Sequence, residues 1–133
     1  MDRKIVIVGC FLGVTGVIFG AFGAHGLKDL IPEESLRTFE TGVRYQMYHA
    51  LLLLFVGYTT TISQGIKKWV LYAVVLGVVL FSGSIYGLST NPLTTFNFKS
   101  IGFITPIGGL LLIGSWLLII INLLKKQYKN SLK

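Results

Sequence analysis

The chain has 133 residues, of which 53% are hydrophobic and only 13% charged, with a formal net charge of +7. An ordinary soluble domain carries about 25% charged residues, so this chain has too few to cover a water-facing surface. Composition therefore excludes a disordered chain and a soluble globule, and a single cysteine, Cys10, excludes an internally disulfide-bonded scaffold.

A helix that crosses a bilayer needs about 20 mostly apolar residues to span about 30 Å of hydrocarbon. Four runs meet that requirement, at 5–24, 45–62, 69–88 and 101–124. The first carries no ionisable side chain except the Cys10 thiol. Its basic start (Arg3, Lys4) and the small residues of Ala21-Phe22-Gly23 also fit a cleaved signal peptide, and Ile7-Val8-Gly9-Cys10 fits a lipidation box. The run is longer than a usual signal core, three more spans follow it, and the stretch before Cys10 is short for lipidation, so a retained helix is expected. In the first loop, Pro32 suits a first helical turn, and Glu33 and Glu34 complement the positive end of its dipole. Leu36, Phe39, Val43 and Met47 then form one stripe. This predicts an amphipathic helix over 32–43 lying on the outer surface and leading, through a bend at Gly42, into the second span.

Apart from tyrosines, the second span has one ionisable side chain, His49, and the third has no charge. Asn91-Pro92 and Thr94-Thr95 mark the third loop as a turn region. The fourth span is long enough to tilt, and Pro106 is expected to free a backbone carbonyl within it. The fold class predicted is thus all-α integral membrane: a single domain over 1–133, a four-transmembrane-helix bundle with one interfacial helix.

Lysine and arginine set the expected orientation. Eight lie on the side holding Arg3, Lys4, Lys67, Lys68 and the tail from Lys125 to Lys133, and four on the side of Lys28, Arg37, Arg44 and Lys99. That bias puts both termini in the cytoplasm. The whole net charge then falls on the cytoplasmic face, where anionic lipid is the expected partner, and no aromatic-basic groove points to nucleic acid.

Small residues let helices in lipid approach closely. Gly9, Gly13, Gly16, Gly20 and Gly23 on the first span, Gly83 and Gly87 on the third, and Gly108 and Gly109 on the fourth are predicted packing positions. The same glycines would also suit hinges of a transporter.

The predicted depths gather polar residues in one outer layer: His25, then Arg44, Tyr45, Gln46, Tyr48 and His49, then Ser82, Ser84 and Tyr86, then Thr105. The inner half is nearly pure hydrocarbon apart from Thr15, Tyr58, Thr59 to Thr61 and Tyr72. Tyr45 and His49 share a helix face, as do Arg44 and Tyr48. Polar groups inside a membrane face the bundle and pair, so two readings stand side by side. In one, these groups only bond each other and anchor the helices; in the other, they line a shallow outward-facing pocket for a lipid, amphipathic ligand or partner helix.

Four segments carry a resemblance: Gly20-Ala21-Phe22-Gly23-Ala24-His25-Gly26-Leu27, Tyr45-Gln46-Met47-Tyr48-His49-Ala50-Leu51, Phe81-Ser82-Gly83-Ser84-Ile85-Tyr86 and Ile104-Thr105-Pro106-Ile107-Gly108-Gly109. In the same order, and over nearly the whole chain, they resemble the YgdD/YwdK family of small bacterial inner-membrane proteins, a domain of unknown function with a vertebrate transmembrane relative. The resemblance implies a four-helix protein of the bacterial inner (plasma) membrane and assigns no activity or catalytic residue. Ser89 to Lys99 is longer than is usual in that family.

No enzyme is expected, since no intramembrane carboxylate orients His25 or His49. No metal is expected either, because Cys10 lies at the far end of the bundle from the histidines, and no cofactor is expected. Alternatives are a haem- or quinone-associated membrane enzyme component, with His25 and His49 as the haem ligands, and transport of a small solute or ion by an oligomer. The favoured expectation is a binding or scaffold protein, with a second copy or another membrane protein as further partner.

Overall fold

Long apolar stretches with no proline in their interiors satisfy their own backbone hydrogen bonds as helices, and the computed structural model, which describes all 133 residues, contains no strand. The elements are α1 (Arg3–Phe22), extended by a π-helical turn (Gly23–Leu27), then α2 (Glu33–Tyr58), α3 (Gln64–Ser89), short 3₁₀ turns at Asn91–Leu93 and Phe98–Ile101, and α4 (Ile104–Ser131). Three of the four long helices have the length and composition of membrane spans: α1 with its extension, α3 and α4, with mean hydropathies of 2.5, 2.0 and 2.4.

The helices pack in chain order, each antiparallel to the next. The Asp2 amide donates to the Gly57 carbonyl (2.7 Å) and Lys126 Nζ to the Thr61 carbonyl (3.2 Å). Both termini and the α2–α3 turn therefore share one end. The main core joins Ile5, Leu53 and Val56 to Val70, Val74, Leu112 and Ile119, while Leu27, Ile31 and Phe39 form a smaller cluster at the opposite end. Around this core the outward faces remain apolar, with Phe11, Val14, Val79, Leu110 and Leu117 all exposed. So much exposed hydrocarbon suits lipid, not water.

Several expectations change in detail. The amphipathic segment over 32–43 and the second apolar run are one helix, α2, which continues through Gly42 without a break. Gly42 serves close approach instead: a Cβ there would lie 2.8 Å from Tyr86 Cε1 and 3.0 Å from Ile85 Cγ2. Pro106 frees no mid-helix carbonyl, because α4 begins at Ile104 and a first-turn amide has no intrahelical partner in any case. Lys67 and Lys68 lie in the first two turns of α3 rather than in a loop. Lys67 is buried, its ammonium on the Thr59 carbonyl at the carboxyl end of α2, where the helix dipole favours a cation.

Gly9, Gly16, Gly20 and Gly23 do face α2, against Ala50 and Leu53, Met47, Val43 and Phe39 respectively. Gly87 faces Phe98, Gly108 meets the α3 backbone, and Gly109 makes ordinary contact with the Phe81 ring. Gly13 and Gly83 face open space, with nothing within 4 Å of an added Cβ. A four-residue step turns a helix about 40° past a full turn, which carries Gly13 to the margin of the stripe that Gly9 shares with α2. Gly57 against Val6 and Gly77 against Leu112 are close contacts that spacing alone did not single out.

Candidate functional site

Gln46 joins three helices. Its Nε2 donates to the Leu12 carbonyl (3.0 Å) and to Thr15 Oγ1 (2.7 Å), and its Oε1 accepts from the Tyr86 hydroxyl (2.7 Å). Thr15 passes its own proton back to the Phe11 carbonyl at 3.0 Å. A buried amide has two donors and one acceptor oxygen to satisfy, and α1 and α3 supply a partner for each. The Tyr86 ring is fixed against Phe19 (centroids 5.0 Å) and Phe39 (4.9 Å).

Three further bonds staple neighbouring helices. Ser82, fully buried, donates to the Gly42 carbonyl at 2.7 Å, tying α3 to α2. Ser84 and Thr105 share a hydroxyl contact of 2.6 Å between α3 and α4. His49 links α2 to α4: Trp116 Nε1 donates to His49 Nε2 at 3.1 Å, while His49 Nδ1 lies 2.7 Å from the Tyr45 carbonyl. An indole N–H only donates and a carbonyl only accepts, so a neutral ring protonated on Nδ1 satisfies both bonds. Both nitrogens are then occupied within the chain.

Two lateral recesses flank these contacts. One, of about 310 Å³, lies between α2, α3 and α4 and is lined by Tyr45, His49, Phe81, Gly109, Ile113 and Trp116. The other, of about 380 Å³, lies between α1, α2 and α3, with Thr15, Phe19, Gln46, Val79 and Tyr86 on its walls. The predicted polar layer is thus divided. Tyr45 and His49 line the first recess, while Gln46 and Tyr86 line the second. Ser82, Ser84 and Thr105 are closed between helices. His25, Arg44 and Tyr48 are exposed and line neither, Arg44 resting on Thr41 Oγ1 at 3.0 Å.

Sequence reasoning placed Thr15 in the apolar half and Gln46 in the first turns of a span. Because α2 starts at Glu33, Gln46 instead falls halfway along its helix and meets Thr15, halfway along α1. Trp116 and Phe81 were not singled out. An indole N–H deep in an apolar run requires a partner, and that signal points to His49.

A family model described as "Protein of unknown function (DUF423)" matches residues 19–109, from the end of α1 to the first turns of α4. The chain belongs to the DUF423 family. A UPF0382 membrane protein of Staphylococcus haemolyticus is 42% identical over 126 residues, covering 92% of this chain and 97% of that protein. The UPF0382 membrane protein YwdK of Bacillus subtilis is 40% identical over 128 residues, covering 92% of this chain and 98% of its own. No solved structure matches. The resemblance drawn from the four sequence segments therefore holds, and this DUF423 protein is a membrane protein of a family whose function is unknown.

Proposed function

We propose that this DUF423 protein crosses the bacterial inner membrane four times, with both termini in the cytoplasm, and acts without catalysis as a binding or scaffold protein whose α2–α4 recess holds an amphipathic lipid. The register of α1 against α2 supports the fourth crossing. Gly57 lies beside Val6, Gly9 beside Ala50, Gly16 beside Met47 and Gly23 beside Phe39. A bilayer that holds α1 from Val6 to Gly23 then holds α2 from Gly57 to Phe39. Gln46 and His49 lower the hydropathy of α2, but both are buried against neighbouring helices and so are kept from lipid. Exposed Arg44 is near enough to the Phe39 end for its long side chain to reach the headgroups. The distribution of Lys and Arg supports the orientation.

The observation that carries the binding reading is the Tyr45 phenol. Gln46, His49, Ser82, Ser84, Tyr86 and Thr105 all have hydrogen-bond partners within the chain, whereas Tyr45, 41% exposed and packed on Phe81 at 5.1 Å, lines the recess and donates to nothing. The recess therefore offers one hydrogen-bonding group at its mouth and an apolar wall of Phe81, Ile113 and Trp116, as a polar head and an acyl chain require. His49, with both nitrogens engaged, offers no free base, which supports a role without chemistry.

Gly109→Leu tests this reading. A Cβ at Gly109 meets Phe81 only at ordinary contact, 3.5 Å, so the helix tolerates it while the longer side chain fills the recess. After extraction in mild detergent, mass spectrometry is expected to find phospholipid retained by the native protein, largely lost from Gly109→Leu and reduced in Tyr45→Phe. Equal retention in all three proteins contradicts the proposal.

A further inference from the structure

The end of the bundle that bears both termini contains a recess of about 340 Å³ between the α2–α3 turn and the last turns of α4, with no hydrophobic residue in its lining. Thr60, Thr61 and Ser63 contribute from the turn, and Lys125, Lys126 and Lys129 from α4. The recess is held in shape from within. Asn122 Oδ1 accepts from the Ser63 amide (3.2 Å), Asn122 Nδ2 donates to Ser63 Oγ (3.1 Å), and Lys126 Nζ reaches the Thr61 carbonyl (3.2 Å). Lys67 already neutralises the carboxyl end of α2 at Thr59, so the α4 lysines are not engaged there.

Charge balance gives this recess its chemistry. The one ion pair in the protein, Arg37–Glu33, lies at the opposite end. Three ammonium groups therefore surround a hydroxyl-lined hollow with no carboxylate within salt-bridge distance of any of them. The 26-residue helix α3 begins beside Ser63, which adds the positive pole of its dipole. Ammonium groups and hydroxyls at the amino end of a helix are a donor set that takes a phosphate oxyanion.

We propose that this recess is a built site for a phosphate ester, presented by the headgroup of an anionic phospholipid. The proposal rests on the reading that this end lies at the cytoplasmic membrane surface, where such headgroups are concentrated. It differs from a general attraction of basic tails to lipid because it assigns recognition to three named lysines and their hydroxyl wall.

The test uses the full-length protein in detergent and native mass spectrometry, with phosphatidylglycerol, phosphatidylcholine and inorganic phosphate as separate probes. Lys125→Gln/Lys126→Gln/Lys129→Gln is compared with a control of equal charge loss at the same end, Lys4→Gln/Lys68→Gln/Lys133→Gln. The first triple is expected to bind phosphatidylglycerol roughly a hundredfold more weakly than the native protein, the combined effect of three lysine contacts. The control and a Lys→Arg version of the first triple are expected to bind it almost as well as native. Inorganic phosphate is expected to compete for the site; phosphate binding that exceeds phosphatidylglycerol binding would overturn the lipid as occupant. Equal weakening in both triples, or in neither, overturns the site itself. The orientation on which it rests is read separately, by labelling Lys133→Cys in a Cys10→Ala background on intact cells: labelling from outside would overturn that orientation whatever the lipid measurement gives.

Discussion

Gly108→Ala is expected to destabilise the protein by about 3 kcal/mol, the upper end of what overpacking a well-filled interface costs. The added methyl would lie 2.8 Å from the Leu80 carbonyl carbon and Phe81 Cα, and closer still to the Phe81 amide nitrogen. These are backbone atoms, which cannot step aside as a side chain does, so α4 must move away from α3 as a unit. That movement also stretches the Ser84–Thr105 contact (2.6 Å) and the Trp116–His49 bond (3.1 Å), both of which depend on the same approach. Gly114→Ala is the matched control on the same helix, since an added Cβ there meets nothing within 4 Å. Unfolding in mixed detergent micelles, followed by circular dichroism, is expected to show a clearly lower midpoint for Gly108→Ala and an unchanged one for Gly114→Ala. Equal midpoints would mean that α3 and α4 do not approach this closely.

Gln46→Leu carries the second large effect, about 2 kcal/mol. Leucine matches the glutamine in size, so the loss is one of hydrogen bonding. The Tyr86 hydroxyl loses its acceptor in an apolar recess, and α1 loses two donors at Leu12 and Thr15. An unsatisfied buried polar group costs about 1–3 kcal/mol, and an interhelical side-chain bond in a membrane contributes about 0.6 kcal/mol on average. Tyr86→Phe alone should cost about 1 kcal/mol, because it leaves the Gln46 carbonyl oxygen unpaired. In the double variant the two losses should overlap by about 1 kcal/mol, as expected for side chains that bond each other. Strict additivity in that cycle would contradict the Gln46–Tyr86 bond. Arg44→Gln, on an exposed side chain, should stay within about 0.5 kcal/mol of native.

The helices α1, α3 and α4 were legible as apolar runs, and the polar ends of two of them were not. Lys67 and Lys68 read as loop residues, yet they lie within α3, where Lys67 reaches the Thr59 carbonyl across the α2–α3 turn. Lys125, Lys126 and Lys129 likewise continue α4. For α2 the periodicity was right, and it left the packing partner open. Leu36, Phe39, Val43 and Met47 do form one stripe, but Phe39, Val43 and Met47 pack on Gly23, Gly20 and Gly16 of α1. A hydrophobic stripe says that a face is covered, not by what, and here the glycines of α1 make the cover.

The site was legible in part for the same reason. The shared face of Tyr45 and His49 survives as one wall of a recess. Gln46, next in sequence to Tyr45, points about 100° away around the helix and so meets different neighbours. Spacing along one chain segment cannot assign the helix that each face meets, and Thr15 and Trp116 enter only through that pairing.

The crossing of α2 beside α1 is tested most directly by two introduced cysteines in a Cys10→Ala background, Leu30→Cys before α2 and Thr61→Cys after it. With a membrane-impermeant maleimide on intact cells, Leu30→Cys is expected to label at once and Thr61→Cys only after lysis. Labelling of both from the same side would place the two ends of α2 on one surface and contradict the four-helix crossing.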